Sequence, residues 1–336
     1  MGGIVDRTRG LARTAALGVA TAAGALLVAA RTTPWPSALL VRAVFGRGAA
    51  RASGALEKHV PGDLVEVVDE AYDVSSPDGR LDVFRPAREA ALPTVVWVHG
   101  GAFVSGSKGD VANYLRVLAG HGLTTVGVDY SIAPGARYPT PVKQVVAALA
   151  HLVDHADRLG IDPGRVVLAG DSAGAQIAAQ VALLVTDEDY AREVGIDVEL
   201  PPSSLSGLVL FCGAYDFTLA QGSTRLGSWL VDTAIWSYLG SSRRHDERIT
   251  RQGSVPVHVT PSFPPSFVSA GNGDPLLPHT LALVDALERH DVDHDVLLFD
   301  DDHEPRLDHE YQFDLDTPDG REALDRAVAF IERVTG

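Results

Sequence analysis

The feature that most constrains the fold of this chain is a glycine-flanked turn between a predicted buried strand and a predicted helix. The strand covers 165–169 (RVVLA), the turn at 170–174 reads GDSAG, and the helix covers 173–184. Glycines let the backbone bend sharply where side chains would obstruct the turn. A serine at such a bend projects its hydroxyl above the sheet, and the N-terminal N–H groups of the following helix favour negative charge there. The sequence therefore predicts that Ser172 is a nucleophile.

Apolar runs and helical patterns alternate along most of the chain. Strands are predicted over 64–74, 81–85, 94–98, 124–128, 165–169, 208–211, 266–269 and 295–299. Helices are predicted over 111–119, 141–159, 173–184, 276–289 and 321–334. Continuous apolar strands are typical of a parallel sheet covered by helices on both faces. The alternation therefore predicts an α/β fold with a mostly parallel central sheet, and residues 215–262, which interrupt it, are interpreted as an inserted helical cap.

A second glycine motif follows the predicted strand at 94–98. Residues 99–103 read HGGAF. Two consecutive glycines present backbone N–H groups without side-chain obstruction, which suits an oxyanion hole. We predict that Gly100 and Gly101 are donors, with the Ala173 N–H as a third. His99 is at the end of a strand and is expected to brace the loop.

A serine nucleophile at such a turn is followed along the chain by an acid and then by a histidine. Asp274 follows a predicted strand and precedes a predicted helix, so it is the favoured acid. Asp216 and Asp300 are weaker candidates. An aspartate in this position is also a common helix N-cap, which is the alternative to a catalytic role.

The identity of the base is ambiguous, because Asp-His-Glu occurs twice within FDDDHEPRLDHEYQF at 299–313. His309 is favoured, since Tyr311 and Phe313 beside it could hold its loop near the nucleophile. His303, which is 29 residues beyond Asp274 against 35 for His309, is the alternative. The acidic and histidine residues of this region lack a tight metal-binding spacing such as H-E-x-x-H, so no metal site is expected.

Together these motifs resemble the hormone-sensitive-lipase-like branch of the α/β-hydrolases, over about residues 65–334. The resemblance rests on HGGAF at 99–103, DYSIAPGARYPTP at 129–141, GDSAG at 170–174, GDP at 273–275 and a late histidine before an aromatic residue. Two positions depart from it. Ser131 replaces a usual arginine, and Glu310 stands where the branch commonly has glycine after the late histidine.

The resemblance implies a serine carboxylesterase for short- or medium-chain acyl esters. Ser172, Asp274 and His309 would form its triad, and no cofactor would be needed. An amidase or deacetylase using the same triad is one alternative. A ligand-binding protein that has lost turnover is another, since the fold alone does not fix the function.

Composition limits the partners of the chain. The 44 acidic residues outnumber the 28 Lys and Arg, for a formal charge of −16, which disfavours nucleic acid as a partner. The single cysteine, Cys212, excludes an intrachain disulfide. The remaining expected partner is a small-molecule ester, and the oligomeric state is left open.

The N-terminus has a different character from the rest of the chain. Arg7, Arg9 and Arg13 precede an uncharged stretch at 14–30, and Arg31 ends it. Its 17 residues are at the short end of what spans a bilayer, so membrane association through this segment is the favoured interpretation. A cleaved signal on a secreted enzyme, or a buried helix in a cytoplasmic one, are the alternatives.

The chain is accordingly divided into three parts. Residues 1–31 form the N-terminal hydrophobic segment, and residues 32–60 contribute to the cap and act as a linker. Residues 61–336 form the catalytic domain. Within residues 32–60, the Gly- and Ala-rich stretch at 46–60 is the predicted linker.

Overall fold

A computed structural model describes residues 28–88, 91–222, 224–240 and 247–336, and its strands form one sheet. The strands are β1 Leu64–Ala71, β2 Arg80–Pro86, β3 Leu92–Val98, β4 Thr124–Val128, β5 Ile161–Asp171, β6 Leu205–Phe211, β7 Ser266–Ser269 and β8 His294–Leu297. Their order across the sheet is β1-β2-β4-β3-β5-β6-β7-β8. β1 and β2 form an antiparallel pair, β2 is antiparallel to β4, and the strands from β4 to β8 run parallel. The predicted α/β fold with a mostly parallel sheet is confirmed.

Helices cover both faces of this sheet. They are α1 Trp35–Leu56, α2 Lys108–Ala119, α3 Thr140–Asp154, α4 Ala156–Leu159, α5 Ser172–Thr186, α6 Glu188–Val194, α7 Arg225–Leu239, α8 Glu247–Gly253, α9 Leu277–Arg289 and α10 Pro318–Thr335. Val96 and Val98 of β3 pack in a core with α3, α5 and α9. Val95 and Trp97 face the opposite core, which contains α2 and α10. Side chains alternate across a strand, so an uninterrupted apolar run supplies both cores.

The parallel register brings the functional motifs to one edge of the sheet. Val98 is paired with Gly170, and Asp171 at the end of β5 is paired with Phe211 at the end of β6. Phe211 is in turn paired with Ser269 at the end of β7. The loops that follow these strands carry the HGG, GDSAG and GNGD motifs, which therefore lie side by side, as is usual for ligand sites in parallel sheets.

Residues 46–60 differ from their interpretation as a linker, because α1 continues without interruption through Leu56. Alanine and arginine, which are frequent in this stretch, are strong helix formers. The helix is held by tertiary contacts: the Asn113 side chain of α2 donates to the Ser53 carbonyl at 2.9 Å. Arg42 donates to the carbonyls of Val104 and Ala133 at 2.6 and 2.8 Å. The stretch is thus packed structure through residue 56.

The segment at 215–262 contains α7, α8 and short 3₁₀ turns between β6 and β7. It contacts the HGGAF loop directly, because the rings of Phe103 and Tyr238 stack with centroids 4.0 Å apart. The Tyr238 carbonyl also accepts a hydrogen bond from the Tyr138 N–H at 2.9 Å. These contacts place the inserted helices over the edge of the sheet where the motifs meet.

No helix in the described ranges is both long enough and apolar enough to cross a membrane. The predicted hydrophobic segment at 14–30 lies outside the described residues, except for its last three. Membrane association through this segment therefore stays a prediction.

Candidate active site

Ser172 is the first residue of α5 and follows β5 directly. Its φ of 52° is left-handed, which a sharp strand-to-helix turn requires and which non-glycine residues rarely adopt. A side chain at Gly174 would overlap the Val98 carbonyl oxygen, and one at Gly170 would come within 2.7 Å of the Gly174 backbone. The two glycines are therefore sterically required, and together they hold the Ser172 hydroxyl in one position.

His309 connects Ser172 to Asp274. Its Nε2 lies 2.9 Å from Ser172 Oγ, and its Nδ1 lies 2.9 and 3.0 Å from the two Asp274 carboxylate oxygens. The Asp274 side chain is fully buried and also accepts from the Leu276 N–H at 2.7 Å. An ionised carboxylate can only accept, so Nδ1–H donates to Asp274 and Nε2 is left to accept the Ser172 hydroxyl proton.

The surroundings of His309 set its charge. Burial lowers the pKa of the ring, whereas Cys212 and the Asp274 carboxylate raise it, and the net result lies well above the ordinary value. Burial raises the pKa of the Cys212 thiol to about 11, so this neighbour is neutral at pH 7. The Asp274 charge is therefore the lasting cause, and it stabilises the imidazolium that forms when His309 takes a proton.

The second histidine is directed elsewhere. His303 Nε2 lies 3.0 Å from Asp319 Oδ1, at the start of α10, and its ring packs against Phe299. Of the two histidines that the sequence left open, the structure brings His309 to Ser172 and places His303 in a separate contact with Asp319. The favoured acid is also placed at the site, whereas Asp216 accepts from the N–H and hydroxyl of Thr218 in a local turn.

The loop of His309 is anchored by two aromatic residues that follow it in the sequence. The Tyr311 and Ser269 hydroxyls lie 2.6 Å apart. The Phe313 ring packs edge-on to Tyr114 with centroids 5.0 Å apart. These aromatic contacts hold the loop against the sheet, as expected from the sequence.

Asn272 is a positioning residue that motif reasoning missed. Its Nδ2 donates to the carbonyls of Asp300 and His303 at 3.1 and 3.0 Å, and its Oδ1 accepts from the Leu307 N–H at 2.8 Å. The Gly273 N–H donates to the Leu307 carbonyl at 2.8 Å. These bonds join the loop of Asp274 to the loop of His309. The only sequence signal was the position of Asn272 within GNGDP.

The HGG loop lies beside the serine turn. A side chain at Gly101, whose φ is 115°, would overlap the Ser105 carbonyl, and one at Gly100 would overlap Asp171. The N–H groups of Gly100, Gly101 and Ala173 donate no hydrogen bond to any residue that the structure describes. Gly100, Gly101 and Ala173, which line the active-site cavity, therefore have N–H donors available for an oxyanion.

His99 braces this loop. Its ring is buried, stacks on Tyr130 with centroids 4.2 Å apart, and has Nδ1 2.8 Å from the Gly100 carbonyl. The Tyr130 hydroxyl donates to the His99 carbonyl at 2.8 Å. Burial lowers the pKa of His99 to about 4, so the ring is neutral. These contacts support the bracing function expected from the sequence.

A cavity of about 500 Å³ opens above Ser172. The cap and α1 supply much of its apolar wall, through Phe217, Leu230, Ile235, Val44, Phe45 and Ala52. Its acidic lining residues are Asp110, Asp171 and Glu310, and its described lining includes no lysine or arginine. The volume lies within the range of about 300–1,000 Å³ usual for small-molecule sites.

Cys212 lies next to the triad. The Cys212 sulfur, an Asp274 carboxylate oxygen and a His309 ring nitrogen lie within 4.8 Å of one another. In the described part of the chain this is the single group of three or more potential metal-ligand side chains. The acidic and histidine residues around 290–309 contribute only His309 to it. The sequence gives no signal for this position of Cys212, because its place directly after β6 becomes informative only once the strand order is known.

Comparisons with known proteins agree with this architecture. Residues 95–303, more than half of the chain, match the family described as alpha/beta hydrolase fold. An acetyl esterase of Salmonella paratyphi B is 32% identical over 205 residues, covering 59% of this chain and 60% of the relative. Another, from Salmonella typhi, is 31% identical over 241 residues, covering 68% and 70%. The chain thus spans about three fifths of the length of the first curated relative.

Solved structures agree over a larger share of the chain. Esterase B of Lactobacillus rhamnosis has a TM-score of 0.77 at 22% identity, covering 89% of this chain and 96% of that one, and this likeness concerns the fold alone. A thermostable carboxylesterase from a metagenomic library has a TM-score of 0.70 at 25% identity, covering 91% and 99%. On the family match, the sheet order and the serine turn, this chain belongs to the α/β-hydrolase family.

Proposed function

We propose that the protein is a serine carboxylesterase in which Ser172, His309 and Asp274 form the catalytic triad. The observation that carries this proposal is the continuous chain of contacts from Ser172 Oγ through His309 to the buried Asp274. Ser172 and His309 line a largely apolar cavity, next to three backbone N–H groups that have no hydrogen-bond partner among the described residues. The acetyl esterases among its relatives support the same activity.

Acylation follows from this geometry. Ser172 Oγ attacks the ester carbonyl while His309 Nε2 takes the hydroxyl proton. The N–H groups of Gly100, Gly101 and Ala173 stabilise the oxyanion, and Asp274 stabilises the imidazolium. His309 then protonates the leaving alcohol, which departs and leaves an acyl-enzyme on Ser172.

Deacylation uses the same groups in reverse. Water attacks the acyl carbonyl, and His309 Nε2 takes one of its protons. When the intermediate collapses, the bond to Ser172 Oγ breaks and Oγ takes that proton back from His309. The carboxylic acid departs, and the enzyme returns to its starting state.

The cavity supports short- to medium-chain acyl groups as substrates. Phe217 and Leu230 from the cap, with Phe45 from α1, give it an apolar wall that favours burial of an alkyl chain. One solved structure of esterase B is described as inhibited by a C4-C4 tributyrin phosphonate, which fits a preference for short acyl groups in a protein of this fold.

The test is hydrolysis of p-nitrophenyl acetate, butyrate and octanoate by the full chain, with p-nitroacetanilide as an amide substrate. We expect ester turnover and little amide turnover. Ser172→Ala and His309→Ala should each lose on the order of 10⁴- to 10⁶-fold in kcat, since triad members act as a unit. His303→Ala is the matched control and should keep near-wild-type activity.

Three results would contradict the proposal. One is a folded wild-type protein inactive on every ester, which would favour the ligand-binding alternative. A second is preferential cleavage of the amide. The third is a loss in His303→Ala as large as that in His309→Ala.

A further inference from the structure

Glu310, directly after His309, has a backbone conformation that glutamate rarely adopts. Its φ of 63° and ψ of 30° are left-handed. Glycine, which the sequence resemblance leads one to expect here, has this conformation without steric cost. Strained residues concentrate at functional sites, so the place where Glu310 holds its carboxylate is informative.

That place is beside the reacting atoms. Glu310 Oε1 lies 3.7 Å from His309 Nε2, the atom that also contacts Ser172 Oγ. A Cβ on Gly100 would come within 3.1 Å of the same oxygen. The side chain is 37% exposed and lines the cavity. The carboxylate thus lies between the base and the HGG loop, facing the space where an acyl group and its attacking nucleophile meet.

The Asp171 carboxyl group lies next to the Glu310 carboxylate. Trp97 Nε1 donates to Asp171 Oδ1 at 2.7 Å, and the other Asp171 oxygen lies on the side of Gly100 and Glu310. Burial, followed by the Glu310 charge beside it, raises the pKa of Asp171 well above its usual range. The neutral form of Asp171 is thereby favoured next to the Glu310 side chain.

We propose that Glu310 is a positioning residue for the water that hydrolyses the acyl-enzyme, an inference that rests on the esterase function proposed above. Two acceptors 3.7 Å apart, Glu310 Oε1 and His309 Nε2, can be bridged by one water at roughly 2.8 Å from each. One O–H of that water points to Nε2 and the other to Oε1. The water is thereby held with its oxygen free to attack the acyl carbonyl.

The step balances without any change at Glu310. A bond forms between the water oxygen and the acyl carbon, and the proton directed at Nε2 moves to His309. The bond from the acyl carbon to Ser172 Oγ then breaks, and Oγ takes the proton from His309. The other proton of the water stays with the carboxylic acid product, and Glu310 neither gains nor loses a proton.

This arrangement distinguishes water from an alcohol as the acyl acceptor. Water has two O–H donors and can satisfy both Nε2 and Oε1. An alcohol has one, so an alcohol that donates to His309 leaves Glu310 Oε1 without the second hydrogen bond that water supplies, which is unfavourable in a partly buried site. Glu310 therefore favours hydrolysis over transfer of the acyl group to alcohols.

The experiment combines pre-steady-state release of p-nitrophenol from p-nitrophenyl butyrate with product partitioning in methanol–water mixtures. The full-length wild type is compared with Glu310→Gly, Glu310→Gln and the control Glu304→Gln from the same loop. For Glu310→Gly we expect an acylation rate within about twofold of wild type and deacylation slower by about 10- to 100-fold, giving a pronounced burst. The ratio of methyl ester to acid should rise by a similar factor.

The other variants distinguish the loss of the Glu310 acceptor oxygen from a general loss of stability. Glu310→Gln keeps an acceptor oxygen and should recover part of the deacylation rate, while Glu304→Gln should match wild type. Glycine fits the left-handed backbone, so the melting temperature of Glu310→Gly should not fall. The proposal is overturned if Glu310→Gly slows acylation and deacylation equally, or leaves the methanol partition unchanged. Retention of ester turnover in Ser172→Ala would instead overturn the esterase mechanism itself.

Discussion

At the scale of single residues, the buried Asp274 carboxylate controls the protonation of His309. It holds the pKa of the ring above its ordinary value, and only the neutral ring can accept the Ser172 proton. Activity should therefore fall as the pH drops through that pKa. In Asp274→Asn the stabilisation of the imidazolium is lost. The acid limb of kcat/KM against pH should then move to lower pH, while the maximum falls by roughly 10⁴-fold as the tautomer is no longer fixed.

The chain supplies a matched control for this pH profile. Asp319 pairs with His303 at 3.0 Å, outside the active site. Asp319→Asn removes a carboxylate from the other histidine and should leave the acid limb of kcat/KM against pH at its wild-type position. An acid limb that stays fixed in Asp274→Asn would show that another group sets it.

At the scale of elements, two loops at the sheet edge depend on Asn272. Asn272→Ala removes its bonds to Asp300, His303 and Leu307, and it leaves the buried Leu307 N–H unpaired. We expect a loss of about 1–3 kcal/mol in the free energy of unfolding, measured by chemical denaturation. Because the loop carries His309, kcat should also fall by about 10- to 100-fold.

Asn113→Ala is the comparison for this element. Asn113 also donates to a backbone carbonyl, that of Ser53, but it joins α2 to α1 in the cavity wall and makes no hydrogen bond to a triad residue. It should reduce stability and leave kcat within about twofold. Equal losses of kcat in both variants would mean that Asn272 acts through general stability and not through the position of His309.

What the sequence could predict follows from how local each feature is. The serine turn was predictable, because Gly170, Ser172 and Gly174 lie in one tight bend. The residues that this bend requires for steric reasons are adjacent in the sequence. The sheet was predictable because buried parallel strands leave long apolar runs. The chain order of acid and histidine was predictable from the serine turn for a related reason, since the loops that carry them follow successive strands.

Other features depend on contacts between distant segments. His303 and His309 share the sequence Asp-His-Glu, and contacts with distant residues distinguish them. His303 pairs with Asp319, whereas His309 contacts Ser172 and Asp274. The second half of α1 has small residues with little periodicity, so its helical state depends on packing against α2 and α7. The carboxyl pair of Asp171 and Glu310 likewise requires two loops to meet.

At the scale of the whole molecule, charge is distributed in a way that bears on substrate choice. The chain carries a formal charge of −16, and Asp110 and Glu310 line a cavity whose described lining contains no lysine or arginine. The field of such a protein raises the local concentration of neutral or cationic molecules relative to anions. An apolar wall within an acidic field therefore favours uncharged esters over esters that carry a carboxylate.

The expected result is a salt-dependent penalty on anionic substrates. The mono-p-nitrophenyl ester of glutaric acid should have a kcat/KM at least about 10-fold below that of p-nitrophenyl pentanoate at low salt. Raising the ionic strength from about 0.01 to 0.15 M shortens the screening length from about 30 to 8 Å. The difference in kcat/KM between the two esters should then narrow, while kcat/KM of the neutral ester is unaffected. Asp110→Asn should narrow it further. Equal rates for the two esters at every salt concentration would mean that the acidic lining is screened from the bound substrate.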